Sequence, residues 1–371
     1  MRKFINQDDM KRNNCLDIFY LIKALKKTTR KELKDITNMS VGAISNIISL
    51  LIQKGYVEER KAAPTKMQGR IPSYLQINST IVSIGVEIGA LGITVEVFNL
   101  KNKSLKKIVY EDGYKTKDEV FEKLFEMLDS VYKEFNEYHI MSIGLGIQGM
   151  VDTKNQLSVF MVAIENWKDV PVAKIVSERY NTYTYIEHDT ECMLFDYVGN
   201  TEIENCVLIG IDKGIGMAAM LGGNIVSGKG MWEFGHAFAA IEETEGVDHT
   251  HTLEDYASEM GLVYRDGRKI SEIAKAAENG EEKAKELFAL MGKNLGIALY
   301  NVIQLLHPEE IFITGRMTKY SHLYEDVMKK YLLMRTDNVN TVPEISFIGE
   351  KQVTRGVAML ATEHAVENIE I

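Results

Sequence analysis

The chain has 371 residues, of which 45% are hydrophobic and 26% charged, and a net charge of −10. That is enough for two or three domains with sizeable cores, and it excludes a disordered or fibrous chain. Three scattered cysteines, Cys15, Cys192 and Cys206, form no CxxC pair and exclude a disulfide framework or a cysteine zinc site, and no apolar run approaches the roughly 18 residues of a membrane span. The N-terminus has no signal-peptide apolar core, so a cytoplasmic location is expected, with no membrane partner.

The total charge hides an asymmetry. Residues 1–80 hold 15 Lys and Arg against 7 Asp and Glu, a balance of +8, while the remainder holds 28 against 46, or −18. A basic module attached to an acidic body suits a polyanionic partner for the module alone, because each phosphate contact releases counterions.

In chain order, Asn14 to Lys27 reads as a helix with Leu16, Phe19, Tyr20 and Leu25 on one face. Thr29 and Glu32 form a capping box that opens a short helix over Arg30 to Thr37, with Leu33 and Ile36 inward. Asn38-Met39-Ser40 turns the chain and Ser40 caps the next helix. There Ile44, Ile47, Ile48, Leu51 and Ile52 make an i, i+3, i+4, i+7, i+8 stripe that Gly55 ends. The stripe buries one face and turns Gly42, Ser45, Asn46, Ser49 and Gln53 outward, which is helix-turn-helix spacing. Residues 56–60 and Ser73 to Ile77 read as a strand pair, with Arg60, Lys61, Lys66 and Arg70 in the basic tip between them. DNA contacts are expected from Arg30, Ser40, Ser45, Asn46, Ser49, Lys66 and Arg70.

Beyond Asn78 the composition changes. Ile81 to Ile88, Ile93 to Phe98 and a segment near Val109 read as strands, Glu119 to Asn136 as an amphipathic helix and Ile140 to Ile147 as a further strand. The last ends in Gly144-Leu145-Gly146-Ile147-Gln148-Gly149, a literal GxGxxG. A turn at Val151 to Asn155 follows instead of the helix that a dinucleotide fingerprint needs. Tyr183 to Ile186 is a strand that delivers Glu187-His188-Asp189. The apolar run Val207 to Ile211 meets glycines at 214 and 216. A second apolar run turns at Gly222-Gly223, and a glycine-spaced loop ends in Glu233 and His236, where a small ligand can reach them. Ser271 to Asn279, Glu281 to Leu306, Tyr324 to Leu333 and Arg355 to Ala365 read as helices and Ile345 to Ile348 as a strand. The long helix carries Leu287, Met291, Leu295, Ala298, Val302 and Leu305 inward.

Several of these segments together resemble the ROK family of repressors, open reading frames and sugar kinases. Trp232 to His236 is similar to the family's Gly-Glu-x-Gly-His, lacking only the first glycine, and residues 144–152 to its GxGxPGxVD with Gln148 for proline. Glu187-His188-Asp189 resembles Glu-Asn-Asp, residues 253–258 resemble Leu-Glu-x-Tyr-Ala-Ser, and Gly69 to Pro72 resembles the Gly-Arg-x-Pro of the repressors' wing. The resemblance implies an α/β, actin-like (ribonuclease H-like) two-lobed sugar kinase fold behind an N-terminal winged helix-turn-helix. The implied domains are a winged helix over 1–80, a first lobe over 81–190 completed by the C-terminal helix 355–371, and a second lobe over 191–354. It further implies a sugar bound between the lobes by Asp189, Glu233, His236 and Glu254, with His188 and Asn166 beside them. Asp189 matches the kinases' general base, and in a binding protein the same carboxylate recognises a hydroxyl. Read as a residue alone, Asp189 also fits a cap on the helix starting near Thr190.

The departures from the family pattern point away from phosphoryl transfer. Its first phosphate turn, Asp-Ile-Gly-Gly-Thr, is Glu87-Ile88-Gly89-Ala90-Leu91 here, and its second, Gly-Thr-Gly-Ile-Gly, is Asp212-Lys213-Gly214-Ile215-Gly216. An adenosine-side Gly-Gly is Thr314-Gly315. The cysteines that hold the family's zinc with the histidine of Gly-His fall at Glu245, Val247 and Thr252, so no metal is expected, with Asp248, His249 and His251 the remaining candidates for a replacement site. The expected function is a sugar-responsive transcriptional regulator, a repressor without kinase activity or cofactor. Its expected partners are operator DNA, a sugar effector and its own copies, as a homodimer or dimer of dimers. The alternatives are an ATP-dependent sugar kinase of the same family and a protein-docking adaptor.

Overall fold

The computed structural model describes residues 7–61, 73–89, 92–161, 164–199, 201–226, 233–244, 247–334, 342–349 and 352–369. The chain opens with helices α1 (Gln7–Leu25), α2 (Arg30–Thr37) and α3 (Val41–Gln53), followed by strand β1 (Val57–Lys61) antiparallel to β2 (Ser73–Ile77). The capping box forms on α2: Thr29 Oγ1 accepts the Glu32 N–H at 3.2 Å and Glu32 Oε2 accepts the Thr29 N–H at 2.8 Å. Asn38 ends α2 in the left-handed region at φ 58°, and Ser40 caps α3 by accepting the Ala43 N–H at 3.2 Å.

The α3 stripe packs as its spacing requires. Ile44, Ile47, Ile48 and Leu51 are buried against Leu33 of α2 and against Cys15, Ile18, Phe19 and Ile22 of α1, themselves an i, i+3, i+4, i+7 set. Two residues expected inside lie outside: Leu25 is 41% and Ile36 53% exposed. Both stand in the last turn of their helices. The same core takes in Ile81, Met141, Ala365, Val366 and Ile369, so the head shares its interior with the first sheet and the C-terminal helix.

That first sheet is built from β3 (Ile81–Gly89), β4 (Gly92–Asn99), β5 (Ser104–Tyr110), β6 (His139–Ile147) and β10 (Tyr183–His188), with α4 (Lys117–Glu134) joining β5 to β6. Between β6 and β10 lie the short strands β7 (Met150–Asp152), β8 (Leu157–Phe160) and β9 (Lys168–Val170) and helix α5 (Val172–Tyr180). The strand order is β10-β6-β3-β4-β5, with β3 antiparallel to β4 and parallel to β6. β3 and β6 are buried over most of their length, which is why apolar residues and glycine dominate both, with Ser83, Glu87, His139 and Ser142 the exceptions.

The rest of the chain begins with α6 (Asp189–Val198) and strands β11 (Cys206–Ile211), β12 (Ile215–Leu221) and β13 (Asn224–Ile225). A hairpin of β14 (Phe238–Thr244) and β15 (Val247–Thr252) follows, then helices α7 (Leu253–Ala257), α8 (Glu259–Asp266), α9 (Ile270–Glu278) and α10 (Glu282–Leu306). Strand β16 (Glu310–Thr314), a 3-10 helix over Arg316–Leu323, α11 (Glu325–Leu333), β17 (Glu344–Gly349) and α12 (Val353–Glu367) complete it. The second sheet runs β13-β12-β11-β16-β17. Both sheets therefore place their strands, numbered by chain order within each, as 3-2-1-4-5, and this doubled βββαβ plan is the actin-like fold.

Two differences from expectation fall here. The segment read as a zinc-type loop is the β14–β15 hairpin, and Leu305 of α10, expected inside, is 80% exposed. The buried face of α10 is instead Leu287, Phe288, Met291, Leu295, Leu299, Val302 and Ile303. One compact unit comprises the chain to Gly149, Asn155–Glu187 and Val357 onward; the other comprises Met150–Lys154 and His188–Gly356. No helix among the described residues is long and apolar enough to cross a membrane.

Candidate effector site and DNA-reading face

On the head, α3 turns Gly42, Asn46, Ser49 and Gln53 to solvent, while Ser45 is half-buried. Nothing lies within 4 Å of where a Cβ on Gly42 would stand, so the start of α3 is open. Val41, its first residue, is 63% exposed beside Gly42 and adds an apolar side chain to a face from which only polar residues were expected. Ser40 spends its hydroxyl oxygen on the Ala43 N–H. Arg30 is not a free cation: its Nη1 donates to Glu59 Oε1 at 2.6 Å, and Ser73 Oγ donates to the same oxygen. These two hydrogen bonds, that of Arg30 first, hold the Glu59 carboxyl below its usual range. Lys66 and Arg70 lie outside the described residues.

In the second unit the glycine-bearing turns bring a carboxylate and an imidazole together. Glu254, in the first turn of α7, donates its backbone N–H to Gly235 O at 2.9 Å and places its carboxylate against both Gly235 and Gly214. A Cβ on Gly235 would collide with Glu254 Oε1 and stand 2.5 Å from Ile215 O, and one on Gly214 would stand 3.1 Å from Glu254 Oε2. Only glycine fits position 235 without displacing that carboxylate. His236 Nε2 lies 3.7 Å from Glu233 Oε2 and 3.8 Å from Glu254 Oε1. These separations exceed hydrogen-bond length, and the side chains are 66%, 47% and 30% exposed in the order His236, Glu233, Glu254. The three groups can therefore take hydroxyls without first breaking a bond among themselves.

A second constellation starts α6. His188 is buried, and its Nε2 lies 3.1 Å from Asp189 Oδ1 while its Nδ1 lies 2.5 Å from Glu191 Oε2. Each ring nitrogen thus faces a carboxylate oxygen, so Glu191 sets the ring and the ring sets Asp189. Asp189 Oδ1 also accepts Thr190 Oγ1–H at 3.1 Å, and among the described residues no hydrogen bond reaches Oδ2. Asp189 does not cap the helix; His188 occupies that position, without a side-chain cap. Glu191 went unnoticed in the sequence, although its i, i+3 spacing from His188 across a helix start was a usable signal. Gly216 of β12 completes the arrangement, since a Cβ there would stand 2.6 Å from Thr190 Oγ1. Asn166 lies in the other unit, exposed and with φ 58°, next to the buried Trp167 whose Nε1–H donates to Ser158 Oγ at 2.8 Å.

The turn at 212–214 is occupied from within. Asp212 donates its N–H to Gly214 O at 2.9 Å, and its Oδ1 accepts the Arg316 N–H at 2.8 Å, at the start of the 3-10 helix. Gly315 reaches φ 96° there, and a Cβ on it would stand 2.9 Å from Asp212 Oδ2. Of the first turn, Ala90 and Leu91 lie outside the described residues, while the Tyr114 hydroxyl is shared between the Gly89 and Gly92 carbonyls. The positions where the family's zinc cysteines would fall do not fit zinc: Val247 has no donor atom, and Thr252 Oγ1–H is held by Asp255 Oδ2 at 3.2 Å. His251 Nδ1 is 3.9 Å from Asp255; the side chains of Glu245, Asp248 and His249 lie outside the described residues.

The ROK family profile matches residues 83–364. The chain is 21% identical over 395 residues to a xylose repressor of Caldicellulosiruptor bescii, covering 96% of this chain and 98% of the repressor. It is 23% identical over 341 residues to the DNA-binding transcriptional dual regulator NagC of Escherichia coli, covering 85% and 83%. Among solved structures, a ROK family transcriptional regulator described as a homolog of the Escherichia coli MLC protein superposes with a TM-score of 0.81 at 18% identity, covering 97% of both chains. The match runs through the body and the head alike, and the chain belongs to the ROK family.

Proposed function

We propose that this chain is a sugar-responsive transcriptional regulator, a repressor acting in the cytoplasm, and that it does not phosphorylate its sugar. The observation that carries the reading is that one chain presents the solvent-facing polar side of α3 and, on its body, the Glu233 and Glu254 carboxylates and the His236 imidazole, which lie beyond hydrogen-bond length of one another. In the major groove Asn46 and Ser49 would hydrogen-bond base edges and Val41 would pack on a thymine methyl. Exposed lysines of the basic head would hold the phosphates. A sugar offers hydroxyls that donate to Glu233, Glu254 and Asp189 Oδ2 and accept from an imidazole N–H, which is how carboxylates recognise a neutral polyol. Two copies reading half-sites about 34 Å apart would be released or seated together as sugar shifts the population between two conformations.

The family's kinase activity has one residue in its favour, Asp189 at the base position. Against it stands Asp212: a carboxylate already bound to the Arg316 N–H fills the turn in which the kinases cradle phosphate, and it would repel a polyphosphate.

The test is a titration of duplex DNA from the chain's own upstream region, at several salt concentrations, with and without N-acetyl-D-glucosamine and D-xylose. Salt-sensitive binding that one of the sugars alters is expected. Asp189→Asn is expected to weaken that sugar roughly tenfold or more, the range for losing a hydrogen bond to a charged group. Sugar-dependent release of ADP from ATP that disappears in Asp189→Asn would instead establish the kinase.

A further inference from the structure

We propose that helix α12 is the element through which the sugar site acts on the DNA-reading head, and that the Tyr20–Glu363 hydrogen bond is its grip on the head. This rests on the regulator reading above. The helix begins against α6, whose first residue is Asp189. Both the Nε and Nη2 of Arg355 reach the Asp196 carboxylate of α6, the latter at 2.9 Å, and the Gln352 N–H donates to Asp196 Oδ2 at 3.3 Å. Gly356 seats the helix directly on α6: a Cβ there would collide with the Cys192 carbonyl.

Further along, the helix is gripped by the first sheet. A Cβ on Gly144 of β6 would collide with the Val357 carbonyl, and Thr362 Oγ1 and Ser83 Oγ share a buried hydrogen bond of 2.7 Å. His364 stacks on Tyr185 of β10 at 4.2 Å between centroids, and the Tyr185 hydroxyl donates to Glu187 Oε2 at 2.8 Å, in the residue before His188. The last turn then enters the head. Ala365, Val366 and Ile369 lie in the core of α1 and α3, and Tyr20 of α1 donates its hydroxyl to Glu363 Oε1 at 2.9 Å.

A 15-residue helix is about 22 Å long and does not shorten or bend without breaking bonds of its own. Seated on glycine at two points, it has no slack in which to absorb a movement of α6 or of the 187–189 segment. Such a movement reaches Glu363, and through it α1. Burial raises the Glu363 carboxyl above its usual range, and the Tyr20 hydroxyl is the first of the groups that oppose the rise, with His364 and Lys23 adding to it and Glu367 working against it. The bond is thus one whose loss Glu363 registers.

The experiment measures how far N-acetyl-D-glucosamine and D-xylose change the affinity of the full-length protein for the upstream duplex, in wild type, Tyr20→Phe and Glu363→Leu, each of which removes one partner of the hydrogen bond. In wild type the effect of the active sugar is expected to reach about fivefold or more, the usual scale of coupling between sites. In each variant it is expected to fall by about threefold or more. DNA affinity without sugar and sugar affinity without DNA should stay within about twofold of wild type. The effect of DNA on sugar affinity must shrink by the same factor, because coupling is reciprocal; a variant with a merely loosened head would lose DNA affinity and keep its response. A response undiminished in both variants overturns the role of α12 and leaves the regulator reading standing. No response to either sugar in wild type overturns both.

Discussion

The two five-stranded sheets share one strand order, yet they close their glycine turns with opposite chemistry. After β3 the Gly89 and Gly92 carbonyls are tied by a neutral phenol, Tyr114, which is buried and whose ionisation that burial opposes. After β11 the turn is lined by carboxylates: Asp212 on the Arg316 N–H, and Glu254 against Gly214. The first sheet carries the head and, at the end of β10, His188; the candidate groups Glu233, His236 and Glu254 belong to the second unit. The same backbone plan was thus specialised by a handful of side chains at the strand ends, which is where function is placed on a shared fold.

The largest expected contrast is in the strands themselves. Gly144 of β6 and Gly210 of β11 both lie in sheet interiors, but a Cβ on Gly144 would drive into the backbone of α12, whereas one on Gly210 would meet only the Thr314 methyl at 3.8 Å and Met193 Cε at 4.0 Å. Gly144→Ala is expected to cost about 3 kcal/mol, since backbone cannot rotate aside as a side chain can. Gly210→Ala should stay within about 0.5 kcal/mol. Denaturant unfolding of the two variants measures both. Equal costs would mean that α12 is not seated on β6 as described.

How much of this was legible follows from what each contact is made of. The α3 stripe, the capping box and the buried runs of β3, β6 and β11 announce themselves, because burial imposes a period on apolar residues. The β14–β15 hairpin does not. Its two strands, FAAIEET and VDHTHT, are held by main-chain hydrogen bonds between largely polar residues, so no apolar alternation marks it. Leu25, Ile36 and Leu305 fit their stripes and are nevertheless exposed, since a stripe says which face is apolar and not how far along the helix a partner extends. In the candidate site, Glu233, His236, Asp189 and Glu254 were named from motifs. Glu191 behind His188 and Glu59 on Arg30 were not, because a pairing between side chains depends on rotamers and on long-range packing.

An intermediate contrast lies in how the two units respond to acid. In the first, burial raises the Glu363 carboxyl. A carboxyl that binds its proton more tightly when folded contributes its stability at low pH and loses it as pH rises from its ordinary value of 4.5 through the folded one. Glu363→Gln should therefore stabilise this unit at pH 7 and flatten its pH dependence above 4.5. In the second unit Asp266 is held at about 2, chiefly by Arg268, whose Nη2 donates to Oδ2 at 2.9 Å. Its contribution is complete above the ordinary 3.8 and is lost as pH falls through about 2, and Arg268→Ala should remove it. Amide exchange resolved along the chain between about pH 2 and pH 8 separates the units. The comparison fails if both variants move the same unit or shift it in the same direction.

The smallest contrast is at the turns, and it bears most directly on what each turn is for. Tyr114→Phe leaves the Gly89 and Gly92 carbonyls without their shared donor, at a cost of about 1–2 kcal/mol. Asp212→Asn keeps an acceptor for the Arg316 N–H and should cost less than about 0.5 kcal/mol, since a partly exposed ion pair contributes little. If the charge of Asp212 serves instead as a structural anchor comparable to Tyr114, its asparagine variant will unfold at a clearly lower denaturant concentration. If it serves mainly to bar phosphate, the variant will be as stable as wild type, and its charge will have mattered to the exclusion of nucleotide and not to the fold. A non-hydrolysable ATP analogue titrated against wild type and Asp212→Asn then separates the two, because only the second case predicts tighter binding to the variant.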